Sequence, residues 1–207
     1  MVVISSRTMH CLHRLQTFTN PRVARVNRTS AMDSKHDVRQ MIQEAFSGVR
    51  HPGDWCLRGS DEGDEPFLTE EEFSGKHDWR DLTPEFLDNS PDGFGSALSF
   101  LSDEAFHFFI PAYLIADVEG ALKNVNPSFY LYHGLLDESK IKKVNPERYG
   151  ERTWFQAASH RLSVFSRPES AAIVSYLLFV RDRDSYTRDF INQALQNYWF
   201  DRAGISV

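Results

Sequence analysis

The chain has 207 residues, 41% of them hydrophobic and 25% charged, with a net charge of −6. A chain of this length buries about 70% of the surface its unfolded form exposes, so it needs neither disulfides nor metals for stability. Two cysteines, Cys11 and Cys56, are too few for a disulfide framework, and no Cys/His spacing suits structural zinc. The charge-free runs Ala105 to Ala116 and Ser170 to Val180, like every other in the chain, fall short of the ~20 apolar residues of a membrane span.

Residues 1–31 contain five arginines and no Asp or Glu, whereas the remainder carries 18 basic and 29 acidic residues, so the charge splits into +5 and −11. A break that sharp marks a boundary. The segment lacks helical periodicity and is expected to be a disordered, dispensable basic extension. Its acid-free, Arg- and Ser/Thr-rich composition fits either an organellar transit peptide or a start placed too early, with Met32 as the true first residue. The helix start directly after Met32 favours the second. Residues 32–207 are expected to form one helical domain.

Asp33 or Ser34 caps a first helix whose apolar residues, Val38, Met41, Ile42, Ala45 and Phe46, follow the spacing of one buried face. Gly48 and Pro52 stop it. Residues 51–75 read as a loop-rich stretch in which Thr69 and Glu72 form a small capping box, and Thr83 before Pro84 is a further cap. The central helix starts at Ser102, has Asp103 and Glu104 where the macrodipole is positive, and runs to about Gly120. At 100° per residue Asp103, Glu104, His107 and Pro111 share one stripe, which predicts a kink or brief break at Pro111 with the missing donor facing away from the core. Ser166 and Glu169 make a capping box ahead of Ala171 to Val180, a run so apolar that it belongs at the centre. A last helix starts near Asp184 or Ser185 and puts Phe190, Ile191, Ala194, Leu195 and Tyr198 on one side. The short apolar runs Phe129 to Leu136 and Leu162 to Phe165 fit strand or helix equally. The fold class is therefore mostly α: a compact helical domain with a Pro-kinked central helix and room for one or two short strands. Phe106, Phe109, Tyr113, Val174, Leu178 and Leu195 are the expected core.

Three stretches carry a resemblance. Lys76–His77–Asp78–Trp79–Arg80–Asp81–Leu82 is followed by Ala97–Leu98–Ser99–Phe100–Leu101–Ser102–Asp103–Glu104–Ala105–Phe106 and Pro111–Ala112–Tyr113–Leu114–Ile115. The chain then has Phe165, Glu169, a long apolar helix and Ala194–Leu195–Gln196–Asn197–Tyr198–Trp199. Over roughly residues 33–200 this resembles a family of bacterial proteins of unknown function. The resemblance implies a compact cytoplasmic domain and supplies no catalytic residues.

The chemistry-bearing patterns are thin. Glu104 and His107 have the i, i+3 spacing of a di-iron ligand pair, but such sites need a second copy that this chain lacks. The pair therefore reads as a surface carboxylate beside a surface histidine. The acidic run Asp61 to Glu72 lacks EF-hand order and reads as a solvated acidic loop or a docking face for a basic partner. Gly93–Phe94–Gly95 has Leu98 where a dinucleotide fingerprint needs its third glycine. Ser159–His160 with Asp182 or Asp184 is a poor triad, since adjacent side chains seldom face each other. Trp79, Trp154 and Trp199 are core residues or partner anchors. A domain of net −11 has no cationic face for nucleic acid. No metal, no cofactor, no nucleic acid and no membrane is expected. The favoured reading is a non-catalytic acidic module of the cytoplasm that binds another protein. The alternative is a small hydrolase or metal-dependent enzyme, with a pocket beside helix 103–122 and Glu104, His107, Asp78 and His133 as its candidate residues.

Overall fold

The computed structural model describes residues 34–90 and 97–206. Its helices are α1 (Lys35–Ala45), α2 (Glu65–Phe73), α3 (Pro84–Asn89), α4 (Ala97–Phe100), α5 (Asp103–Glu119), α6 (Pro127–Tyr132), α7 (Pro146–Tyr149), α8 (Trp154–Arg161), α9 (Arg167–Arg183), α10 (Arg188–Ala194) and α11 (Phe200–Ala203). Among the described residues there is no strand, and the extended pairings are two isolated bridges, Arg58 with Leu101 and Lys143 with Thr153. Neither apolar run of undecided type is a strand: Phe129–Tyr132 falls in α6 with a turn after it, and Leu162–Val164 is a 3₁₀ turn directly after α8. The basic extension 1–31 and Gly93–Phe94–Gly95 lie outside the described residues.

The middle of the fold is α5. Ser102 Oγ accepts from the Ala105 amide at 3.0 Å, Asp103 and Glu104 fill the first turn, and Gly120 ends the helix in the left-handed region at φ 73°. Helix α1 lies against both α5 and α9, and α5 also meets α3, α6 and α9. With neighbours on most sides, α5 is buried nearly all round, and this overturns the expectation that the donor missing at Pro111 faces away from the core. The helix runs through Pro111 without a break, and the proline is buried. The stripe of Asp103, Glu104 and His107 is polar only near the N-terminus; by the third turn packing has covered it. The structure has room for proline here because the ring fills core space, at the cost of one backbone hydrogen bond.

Capping chemistry was legible. Ser34 and Asp37 form a reciprocal box at the start of α1, Thr83 caps α3 ahead of Pro84, and Ser166 and Glu169 form the box of α9. Thr69 is the exception. It lies inside α2, which starts at Glu65 with Pro66 in its first turn, and its hydroxyl donates back to the Glu65 carbonyl. Of the expected core, Phe106, Phe109, Tyr113, Val174 and Leu195 are buried, while Leu178 packs at the edge and Leu177 takes the interior place. Met41 is also more open than its α1 neighbours Val38, Ile42 and Phe46.

The last helix starts later than expected, at Arg188, and loosens into a π turn over Leu195–Trp199 before α11. The wider turn changes which side chain points inward. Trp199 is fully buried and donates its indole N–H to the Leu131 carbonyl at 2.7 Å, while Tyr198 stays half-buried.

Candidate functional site

The turn after α1 brings polar chemistry to the flank of α5. Gly53 adopts φ 97°, and a Cβ placed there would lie 2.5 Å from the Trp55 indole nitrogen, so only glycine lets this turn fold under its tryptophan. His51 packs edge-on against Phe108 and Phe109 of α5, with ring centroids 4.9 and 5.9 Å apart, and against His77 at 4.8 Å. The Gly53 N–H donates to His51 Nδ1 at 3.0 Å, so the neutral ring carries its proton on Nε2. That Nε2 is buried and has no hydrogen-bond partner.

Asp54 completes the cluster. Its Oδ1 lies 3.9 Å from His51 Nε2 and 3.4 Å from His77 Nε2, and accepts the Gly75 N–H at 3.3 Å. One nitrogen from each histidine and one Asp54 oxygen all fall within 4.8 Å of one another. The Gly75 amide, ahead of the two histidines, holds the Asp54 carboxyl below its ordinary value. Burial lowers His51, His77 pushes it the same way, and Asp54 opposes them. At neutral pH the carboxylate is thus charged and His51 is neutral. His77 is 65% exposed and borders a cleft of about 280 Å³ with Lys76, Asp78 and Asp81. Sequence reasoning missed this cluster. The available signal was His51-x-x-Asp54 with His77 one loop and one helix later, a pattern too loose to stand out.

The four sequence candidates share no hydrogen bond or ion pair with one another, although Glu104 and His107 stand one turn apart on α5. Glu104 is exposed and meets the Cys56 thiol at 3.9 Å, and no hydrogen bond or ion pair joins it to His107. Asp78 caps a 3₁₀ turn by accepting from Arg80 at both backbone and side chain, and the Arg80 amide leads in lowering its pKa. His133 stacks on Phe129 at 4.5 Å and meets Trp154 edge-on, and burial together with nearby Lys142 lowers its pKa. His107 is not the surface histidine of the sequence reading. It is 23% exposed, its Nε2 sits 3.0 Å from Glu169 Oε1, and Phe46 and Phe165 flank its ring. Glu169 is nearly enclosed. Burial alone would raise its pKa, but His107 and the Ser166 backbone and hydroxyl together hold it below its ordinary value. One carboxylate thereby serves as the cap of α9 and as the tie from α9 to α5.

Among the tryptophans, Trp79 and Trp199 are core, and Trp154 is partly open. The open one is Trp55, at 84% exposure, which the sequence reading did not single out. The acidic run follows it. Arg58 takes Asp61 and Glu70, and Arg148 takes Glu62, leaving Asp64, Glu65 and Glu71 exposed without an ion pair. Phe67, beneath the Arg58 guanidinium at 4.6 Å, is also exposed.

Among the described residues, no helix is long and apolar enough to cross a membrane. A family model described as a family of unknown function (DUF6714) matches residues 34–203. No curated protein and no solved structure matches the chain.

Proposed function

The chain belongs to this family of unknown function, and from that premise we propose that it works in the cytoplasm as a non-catalytic module that binds a protein with a basic contact face. The observation that carries the reading is Trp55. A tryptophan 84% exposed is unusual in a globular domain, and this one is held over Gly53 by a backbone conformation that other residues rarely adopt. Such a ring offers a large apolar anchor at small entropic cost, as binding hot spots do. The unpaired carboxylates of Asp64, Glu65 and Glu71 stand on the stretch that follows it, which gives the partner its charge. A net charge of −11 over residues 32–207 speaks against nucleic acid in that role. The hydrolase reading has less behind it, because its four residues contact different partners.

The test uses the immobilised full chain, its Trp55→Ala variant and a triple Asp64→Asn, Glu65→Gln, Glu71→Gln variant against lysate of the source cell. We expect a basic protein retained by the parent chain, lost from Trp55→Ala, weakened in the triple variant and released by about 0.5 M salt. Equal retention by Trp55→Ala, or a partner with an acidic face, refutes the proposal.

A further inference from the structure

We propose that His51, Asp54 and His77 form a binding site for a divalent first-row transition ion, held by the two Nε2 atoms and one Asp54 oxygen. This goes beyond the docking role and stands without it.

Two imidazoles and one carboxylate are the ligand set of open zinc sites and of related iron and manganese sites. Ligands about 2.0–2.1 Å from a tetrahedral zinc ion lie roughly 3.4 Å from one another. The His77–Asp54 edge, at 3.4 Å, already has that length, and the His51–Asp54 edge, at 3.9 Å, is close to it. One nitrogen of each histidine and one Asp54 oxygen lie within 4.8 Å of one another, so the site closes by about an ångström of side-chain motion. Coordination also answers the one polar fault in the cluster, the buried and unpartnered His51 Nε2. Asp54 is set by the Gly75 amide and His51 by two phenylalanines, so two of the three ligands are held before any ion arrives. His77, 65% exposed beside its cleft, provides the entry path. Three protein ligands leave one tetrahedral position for water or a donor from elsewhere.

The local hydrogen bonding makes a specific demand. His51 Nδ1 now accepts from the Gly53 N–H, so Nε2 carries the ring proton. When the ion takes the Nε2 lone pair, the proton passes through solvent to Nδ1 and the ring stays neutral. The Gly53 amide then loses its acceptor and turns away. A metal-bound ring normally donates from its second nitrogen, so the loaded state reaches the usual arrangement only by this rearrangement.

The experiment titrates the full chain, stripped with chelator, with zinc against a chromogenic competitor. Cobalt serves as a visible-absorption surrogate, and two-dimensional NMR follows the amides. We expect one equivalent bound, a tetrahedral cobalt spectrum and a displaced Gly53 amide resonance. His77→Gln is the decisive variant, because an exposed side chain can be exchanged without disturbing the fold, as its thermal melt will verify. Losing a ligand should weaken binding by more than the ~10–100-fold typical of losing a ligand's hydrogen-bond partner. His51→Gln and Asp54→Asn should do likewise. No complex tighter than about 10 µM overturns the site. So does undiminished binding by His77→Gln, which would put the ion on other histidines such as His10 and His13.

Discussion

Replacing His107 with alanine separates two views of α5. If the histidine were a solvent residue, the change would cost under about 0.5 kcal/mol. The structure gives a larger figure. His107 Nε2 lies 3.0 Å from Glu169 Oε1, and the two side chains are 23% and 7% exposed. A hydrogen bond to a charged group is worth about 1.5–3 kcal/mol. Ring area lost between Phe46 and Phe165 adds roughly 1 kcal/mol, so the total is about 2.5–4 kcal/mol. Glu169→Ala removes the same bond and also the capping contact to the Ser166 amide, at 2.6 Å, a further ~0.5–2 kcal/mol. Urea denaturation of both single variants and the double variant closes a cycle, with an expected coupling of about 1–3 kcal/mol. A coupling below roughly 0.5 kcal/mol refutes the claim that this pair ties α9 to α5. The acid limb gives an independent check. Glu169 titrates below its ordinary value of 4.5 in the folded chain. Its stabilising contribution is therefore complete above about pH 4.5 and is lost as pH falls through the lowered folded value. Glu169→Gln should flatten that part of the stability curve.

Three other outcomes are expected. Asp88→Ala strands the amides of Lys123, Asn124 and Val125, which all donate to Asp88 Oδ1 at 2.7–3.2 Å, and should cost about 2–4 kcal/mol in chemical denaturation. Gly204→Ala sets a side chain at φ 67° where the Arg167 guanidinium already sits. It should cost roughly 1–3 kcal/mol and lower the melting temperature accordingly. Trp55→Ala should leave stability within about 0.5 kcal/mol, since the ring is 84% exposed, so any loss of partner capture reports on binding alone.

The fold was legible where its causes are local. Ser34, Thr83, Ser102 and the Ser166–Glu169 box are each a side chain satisfying an amide two to three residues on, and the sequence carries that spacing openly. Periodicity failed where burial has no sides. In the middle of α5 and α9, at 108–116 and 171–180, nearly every position is apolar, so the facing of Pro111 and the exchange of Leu178 for Leu177 depended on neighbours far along the chain. The π turn at Leu195–Trp199 is equally opaque, because no residue there signals the extra width. The cluster at His51, Asp54 and His77 joins a loop before α2 to a loop after it, and nothing in either segment alone implies the meeting. His107 was misplaced for a related reason: its partner Glu169 is 62 residues away and already had a local role that explained it.

The bond from Trp199 to the Leu131 carbonyl spans 68 residues, and Arg167 and Arg202 stitch the segment 163–167 to the turn at 202–204. During synthesis α5 therefore emerges with its Phe-rich surface unmatched, because α9 and Trp199 have still to be made. At ~5–20 residues per second the ribosome takes on the order of 3–14 s to travel from Leu131 to Trp199. Collapse of a chain this size is thousands of times faster. The nascent polypeptide thus spends seconds with that apolar surface still unmatched. Ribosomal pauses between α5 and α9 would lengthen that exposure, whereas pauses after α11 would not.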